Sequence, residues 1–138
     1  MADTPGSIIA LDVGSVRIGV AIANSIARLA RPLTTLDTEA FDGMFRGIVD
    51  EHQPLKIIVG LPRSLSGNDT PQTEFVRQFT AAHLAEQKTV FMDEALTSQK
   101  AEAELKRRKK PYDKPDIDAL AATYILQDYL DTAKIGSA

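Results

Sequence analysis

Ile8-Ile9-Ala10-Leu11-Asp12-Val13-Gly14-Ser15-Val16-Arg17-Ile18-Gly19-Val20-Ala21-Ile22-Ala23 decides how this chain is read. An apolar run carries one carboxylate near its end, reaches a Gly-Ser turn, and resumes as a second apolar run. Two buried strands, residues 7–13 and 17–23, joined by a tight turn account for the pattern. Asp12 then sits at the end of the first strand among apolar neighbours, where an unpartnered charge is costly. A metal ion or a helix terminus would relieve that cost. Gly14 reads as a turn residue and Gly19 as a point of close backbone approach.

Outward from this hairpin, residues 30–36 read as a third, shorter strand, with Pro32 suited to a sheet edge. Phe41, Met44, Phe45, Ile48 and Val49 mark an amphipathic helix. Residues 56–61 form a β-branched strand stopped by Gly60 and Pro62, followed by the polar loop 63–69. Thr70, with Pro71 after it, caps a helix expected to bury Phe75, Val76, Phe79 and Ala82. A fifth strand, residues 89–92, ends in Asp93-Glu94. Thr97 or Ser98 starts a helix that runs through Leu105 into five consecutive bases and is interrupted by Pro111. The last helix starts at or near Asp116 and continues to about Leu130. The order βββ-α-β-α-β-α-α predicts an α/β fold, a five-stranded mixed sheet with helices on both faces, in one domain spanning 1–138.

The bulk numbers narrow the function. The 138 residues are 43% hydrophobic and 25% charged, with a net charge of −3. Such a balance does not advertise nucleic-acid binding, so a local basic patch would have to supply it. No apolar run matches a membrane span, no signal pattern opens the chain, and a cytoplasmic location with no membrane partner is expected. Cysteine is absent, which excludes disulfides, zinc thiolates and thiol catalysis. The two histidines, His52 and His83, fall in expected helices, which argues against histidine-rich metal sites and most Ser-His chemistry.

Acids gather at element boundaries instead. Asp12 ends strand one, Asp93 and Glu94 end strand five, and Asp118 lies in the first turn of the last helix. Ligands of such sheets collect at the strand carboxyl ends. The order admits strands one and five as parallel neighbours, which would bring Asp12 and Glu94 together. Asp118 leads a helical face with Ala122, Ile125 and Tyr129. Carboxylates converging without histidine suit hard cations, Mg2+ or Mn2+. Each acid also has a plainer reading: Asp116 and Asp118 as residues favoured at a positive helix end, Asp93-Glu94 as an ordinary turn. Arg17 and Arg63 are candidate phosphate contacts, or solvated charges. Lys106, Arg107, Arg108, Lys109 and Lys110 repel one another, a strain that a polyanion relieves, although a basic helical run is also a common solvated face.

At these residues the chain resembles the YqgF (RuvX) family. Leu11-Asp12-Val13-Gly14 with Arg17-Ile18-Gly19-Val20-Ala21, Val59-Gly60-Leu61-Pro62 with Gly67, Asp93-Glu94 with Leu96-Thr97-Ser98 and Ala101, and Asp118-Ala119-Leu120-Ala121-Ala122 with Ile125-Leu126-Gln127 and Tyr129-Leu130 look like its four motifs in order. The resemblance runs from Ile8 to about Leu130. It implies an RNase H-like fold and a metal-dependent nuclease. The implied substrates are the 5′ end of pre-16S ribosomal RNA, with ribosomal particles as partners, or Holliday-junction-like branched DNA. It also implies catalytic Asp12, Glu94 and Asp118, with Asp93 as a fourth possible metal ligand. Ala95 departs from the family, which often has a basic or polar residue there. Two other readings stand beside this one: a non-catalytic ribosomal-RNA-binding factor, and a nucleotide-binding phosphotransferase, whose class normally needs two such domains.

Overall fold

A computed structural model of the chain describes residues 5–94, 97–108 and 113–136. Strands β1 (Ser7–Val13), β2 (Arg17–Asn24) and β3 (Arg31–Asp37) form the expected meander. A 3-10 turn, Thr38–Ala40, leads into α1 (Phe41–His52). Then follow β4 (Lys56–Pro62), α2 (Pro71–His83), β5 (Thr89–Glu94), α3 (Thr97–Arg108) and α4 (Lys114–Gly136). The sheet order is β3-β2-β1-β4-β5. β1–β2 and β2–β3 pair antiparallel, whereas β1–β4 and β4–β5 pair parallel. Strands β1 and β5 are therefore parallel but not neighbours: β4 lies between them, because the helical crossover after α1 returns the chain beside β1. Asp12 and Glu94 stand two strand spacings apart, about 10 Å across the sheet.

The strand alternation gives the sheet two different faces. Ile9, Leu11, Val13, Ile18, Val20, Ile22, Ile57, Val59 and Leu61 point toward α1 and α2, where Phe41, Phe45, Val76, Phe79 and Leu84 close the larger core. Phe41 stacks on Phe45 with ring centres 4.7 Å apart and meets Phe79 edge-on at 4.9 Å. Ala82, expected in this core, is exposed; buried Thr73 and Thr80 take positions on the stripe with Val76. Both threonines stay satisfied: Thr73 donates to the Pro62 carbonyl, and Thr80 to the Val76 carbonyl at 2.8 Å. The opposite face presents small residues, Ala10, Ala21 and Ala23 among them, to α4 through Ala122, Ile125, Leu126 and Leu130.

Local signals explain the helix starts. Thr70 and Thr73 form a capping box ahead of α2, with Pro71 at the first position. Asp113 and Asp116 exchange side-chain to backbone bonds at the start of α4, 3.1 and 3.4 Å. That helix begins at Lys114, so Asp118 lies beyond its first turn. Pro32 falls on the edge strand β3, where the register with β2 slips between Val20 and Ala21.

Two glycines set how closely α4 can rest on the sheet. A Cβ on Gly19 would lie 1.9 Å from the Asp118 carbonyl oxygen, and one on Gly60 would lie 2.4 Å from Ile125 Cδ1. The first neighbour is rigid backbone, the second a side-chain tip that can turn. Gly43, exposed in α1, has nothing within 4 Å of such a Cβ. Gly19→Ala is expected to cost at least about 2–3 kcal/mol in urea denaturation, and Gly60→Ala less. Gly43→Ala is expected to stabilise by about 0.5–1 kcal/mol through helix propensity. Equal midpoints for Gly19→Ala and the parent protein would mean that α4 does not rest on β2 in this way.

Candidate functional site

Asp12 pairs with Gly19 across the β1–β2 ladder. Both project toward α4, and Gly19 is where the α4 backbone touches the sheet at Asp118. Asp118 is thereby delivered next to Asp12. Arg17, two residues before Gly19 on the same strand face, completes the group. Its Nε donates to Asp118 Oδ2 at 2.6 Å, with Arg17 30% and Asp118 20% exposed. Asp12 is partly buried at the bottom of this arrangement. Its burial first, and the negative charge of Asp118 second, push its carboxyl up from the usual 3.8 to about 6. The plainer reading of Asp118 as a helix-end acid is filled by Asp113 and Asp116 instead.

The β1–β2 turn beside Asp12 is held from three sides. Gly14 N–H donates to the Arg17 carbonyl at 3.0 Å, and Thr38 Oγ1 donates to the Gly14 carbonyl at 2.7 Å. Gln72 Nε2, from the first turn of α2, donates to the Val13 carbonyl at 3.2 Å. Thr38 and Gln72 position the site without belonging to it, and no local pattern in the sequence marks either of them.

Register separates the two acids at the end of β5. Val90 and Met92 pack toward α4, so Glu94 shares that face with Asp12 and Asp118. Asp93 takes the other face, opposite Leu61, and its Oδ1 lies 3.4 Å from Arg63 Nε. Asp93, expected as a fourth metal ligand, is thus turned away from the other acids by the period-two alternation of the strand. Arg63 also pairs with Asp69, which Arg77 holds from α2. The sequence marked Arg63 as a phosphate contact; its folded neighbours are Asp69 and Asp93, and together they brace the β4–α2 loop. Ser64 and Asn68 likewise spend their side-chain bonds inside that loop, and Gly67 supplies its one positive φ, 82°. Among the described residues no three acids or histidines lie close enough to grip one ion together. His52 and His83 end α1 and α2 and pair with Glu51 and Asp42.

The basic run closes α3. Arg107 and Arg108 are exposed and both pair with Glu104, one and the other at i+3 and i+4. Exposed pairs of this kind contribute little and yield readily to a phosphate. Lys106 is exposed beside them. Lys109, Lys110 and Ala95 lie outside the described residues.

The family description that matches this chain is RuvX, Holliday junction resolvase, over residues 6–132. A protein of Chloroflexus aurantiacus named "Putative pre-16S rRNA nuclease" is 40% identical over 134 residues, 92% of this chain and 88% of its own length. A protein of the same name from a Roseiflexus species is 37% identical over 97% of this chain and all of its own length. Among solved structures, Thermus thermophilus RuvC bound to a Holliday junction substrate superposes with a TM-score of 0.59. The match covers 96% of this chain and 98% of RuvC at 16% identity, which establishes the shared fold.

The electrostatics of Asp12 give a signed pH effect. Between pH 3.8 and about 6 the folded protein holds more protons than the unfolded chain, so stability falls as pH rises and the full cost is present above about 6. Asp12→Asn removes this cost. The variant is expected to gain up to about 3 kcal/mol at pH 7.5, with most of the gain gone at pH 4. Urea midpoints at the two pH values measure it, and an unchanged midpoint at pH 7.5 would mean that Asp12 is not strained.

Proposed function

The chain belongs to the RuvX family of nucleases, and on that premise we propose that it is a metal-dependent phosphodiester hydrolase that trims the 5′ end of pre-16S ribosomal RNA. The observation that carries the reading is the pairing of Asp12 with Asp118 on one sheet face at the carboxyl end of β1. A carboxyl raised to about 6 by its burial first and by the charge of Asp118 second, together with Asp118 itself, is a donor set for a hard divalent cation. Mg2+ is commonly held by only one or two protein carboxylates, with substrate phosphate and water completing its shell. The residues therefore fit the group. Asp12 and Asp118 would hold Mg2+ or Mn2+, and Glu94, on the same face but two strand spacings away, would act through bound water or substrate rather than as a third direct ligand. When bound, such an ion supplies the Lewis acidity that activates water and stabilises the leaving oxygen of a phosphodiester.

The remaining residues bind and orient. Arg17 offers a guanidinium to a phosphate beside Asp12, a geometry to which arginine is suited. Arg63, at the base of the β4–α2 loop, would reach a phosphate only by giving up its pairs with Asp69 and Asp93. Lys106, Arg107 and Arg108, with Lys109 and Lys110 following in sequence, attract the backbone of the nucleic acid without reading its bases. A ribosomal precursor places the work in the cytoplasm, on RNA or on assembling ribosomal particles. Among the described residues no helix is long and apolar enough to cross a membrane. Branched DNA is the second reading, favoured by the family description and by the fold shared with RuvC.

Labelled ribosomal-RNA precursor ends and four-way DNA junctions, each with Mg2+ or Mn2+, test the proposal and choose between its substrates. Asp12→Asn and Asp118→Asn are expected to fold and to lose cleavage by about two orders of magnitude or more while still binding nucleic acid. Full cleavage by both variants would defeat the nuclease reading. Tight ribosomal-RNA binding by a parent protein that cleaves neither substrate would identify a non-catalytic factor instead. The basic run has its own test. Changing Arg107, Arg108 and Lys109 to Ala is expected to weaken binding about equally across sequences and to flatten its salt dependence. An unchanged affinity and salt slope would leave the run as a solvated helix face.

A further inference from the structure

The Arg17–Asp118 ion pair sits where the chemistry would need both partners for other tasks. Asp118 Oδ2 accepts from Arg17 Nε at 2.6 Å, a short charge-assisted bond. The guanidinium meets Asp118 through Nε, and among the described residues neither Nη makes a hydrogen bond. The side chain is 30% exposed, so its outer fork meets solvent. Asp118 in turn acts electrostatically on Asp12, whose own position is fixed by the β1–β2 ladder. Arg17 is therefore the cation that neutralises Asp118 in the protein alone.

A divalent cation and a guanidinium compete for the same carboxylate oxygen. They also repel each other at ion-pair distance. A cation seated between Asp12 and Asp118 thus removes the reason for Arg17 to stay on Asp118. The released fork lies on the strand face that carries Gly19, the ladder partner of Asp12. It presents two parallel N–H donors, the arrangement that matches the oxygens of a phosphate. We propose that Arg17 is an exchangeable counter-ion: it neutralises Asp118 until a divalent cation binds, and the displaced guanidinium then takes a phosphate oxygen of the substrate, so that cation and nucleic acid bind cooperatively. The coupling is reciprocal, since each ligand raises the affinity of the other by the same factor. This deepens the nuclease reading and rests on it.

The test reads binding rather than turnover. Mn2+ affinity of the full chain is measured by electron paramagnetic resonance without nucleic acid. Affinity for a labelled RNA hairpin is measured by anisotropy with and without Ca2+, a hard cation of the same charge. In the parent protein the cation is expected to tighten hairpin binding at least fivefold. Arg17→Gln is expected to bind Mn2+ several-fold more tightly alone and to lose most of that coupling. Arg17→Lys keeps the charge but not the fork. It is expected to hold Mn2+ within about twofold of the parent protein and to lose coupling, which preserves the test should Arg17→Gln fail to fold. Equal or weaker Mn2+ binding by folded Arg17→Gln, or coupling retained in Arg17→Lys, would overturn the exchange even in a protein that cleaves RNA. Cooperative binding in a parent protein that cleaves nothing would uphold the exchange and sink the nuclease reading alone.

Discussion

The absence of a side chain at Gly19 is the constraint on which the site depends. Helix α4 meets β2 backbone to backbone there, close enough that a single methyl group would occupy the space of the Asp118 carbonyl oxygen. The ladder places Asp12 opposite Gly19, and the strand places Arg17 two residues before it on the same face. One close approach therefore brings together an acid from β1, a base from β2 and an acid from α4. Loosening it would move Asp118 away from Asp12 and relieve their repulsion. The fold instead keeps them together, with Asp12 carrying a proton affinity raised to about 6.

That electrostatic cost is tolerable because the two sheet faces are built differently. The α1/α2 face is a dense cluster of Ile, Leu, Val and Phe, closed by the Phe41–Phe45–Phe79 rings. Burial there supplies most of the hydrophobic stabilisation. The α4 face is paved with Ala and Gly near its working end and lets a helix lie close to the strands. The same division governs the end of β5. Glu94 goes to the working face, while Asp93 goes to the other and helps Asp69 hold Arg63 and the β4–α2 loop. Neighbouring acids in sequence thus go to opposite faces of the sheet.

The RuvX family and the RuvC fold frame this arrangement, but the electrostatics belong to the chain's own residues. Arg17 Nε pairs with Asp118, and among the described residues Asp12 makes no hydrogen bond or ion pair.

Much of this was legible along the chain. Strand and helix periodicity, the Gly-Ser turn and the Thr70-Pro71 start are local features, so all five strands and the starts of the four helices were readable to within a few residues, although α4 runs on to Gly136, past the expected end near Leu130. Asp12 stood out because an acid amid apolar neighbours is conspicuous without any partner in view. Tertiary structure decided the rest. The insertion of β4 between β1 and β5 depends on where a crossover returns, which no periodicity encodes. The separation of Asp93 from Glu94 depends on strand phase, and only ladder register fixes that phase. Asp118 looked like a helix-end residue until Asp113 and Asp116 took that place and α4 began earlier than its acids suggested. The Arg17–Asp118 contact joins residues 101 positions apart, and only the docking of α4 on β2 at Gly19 could bring it about.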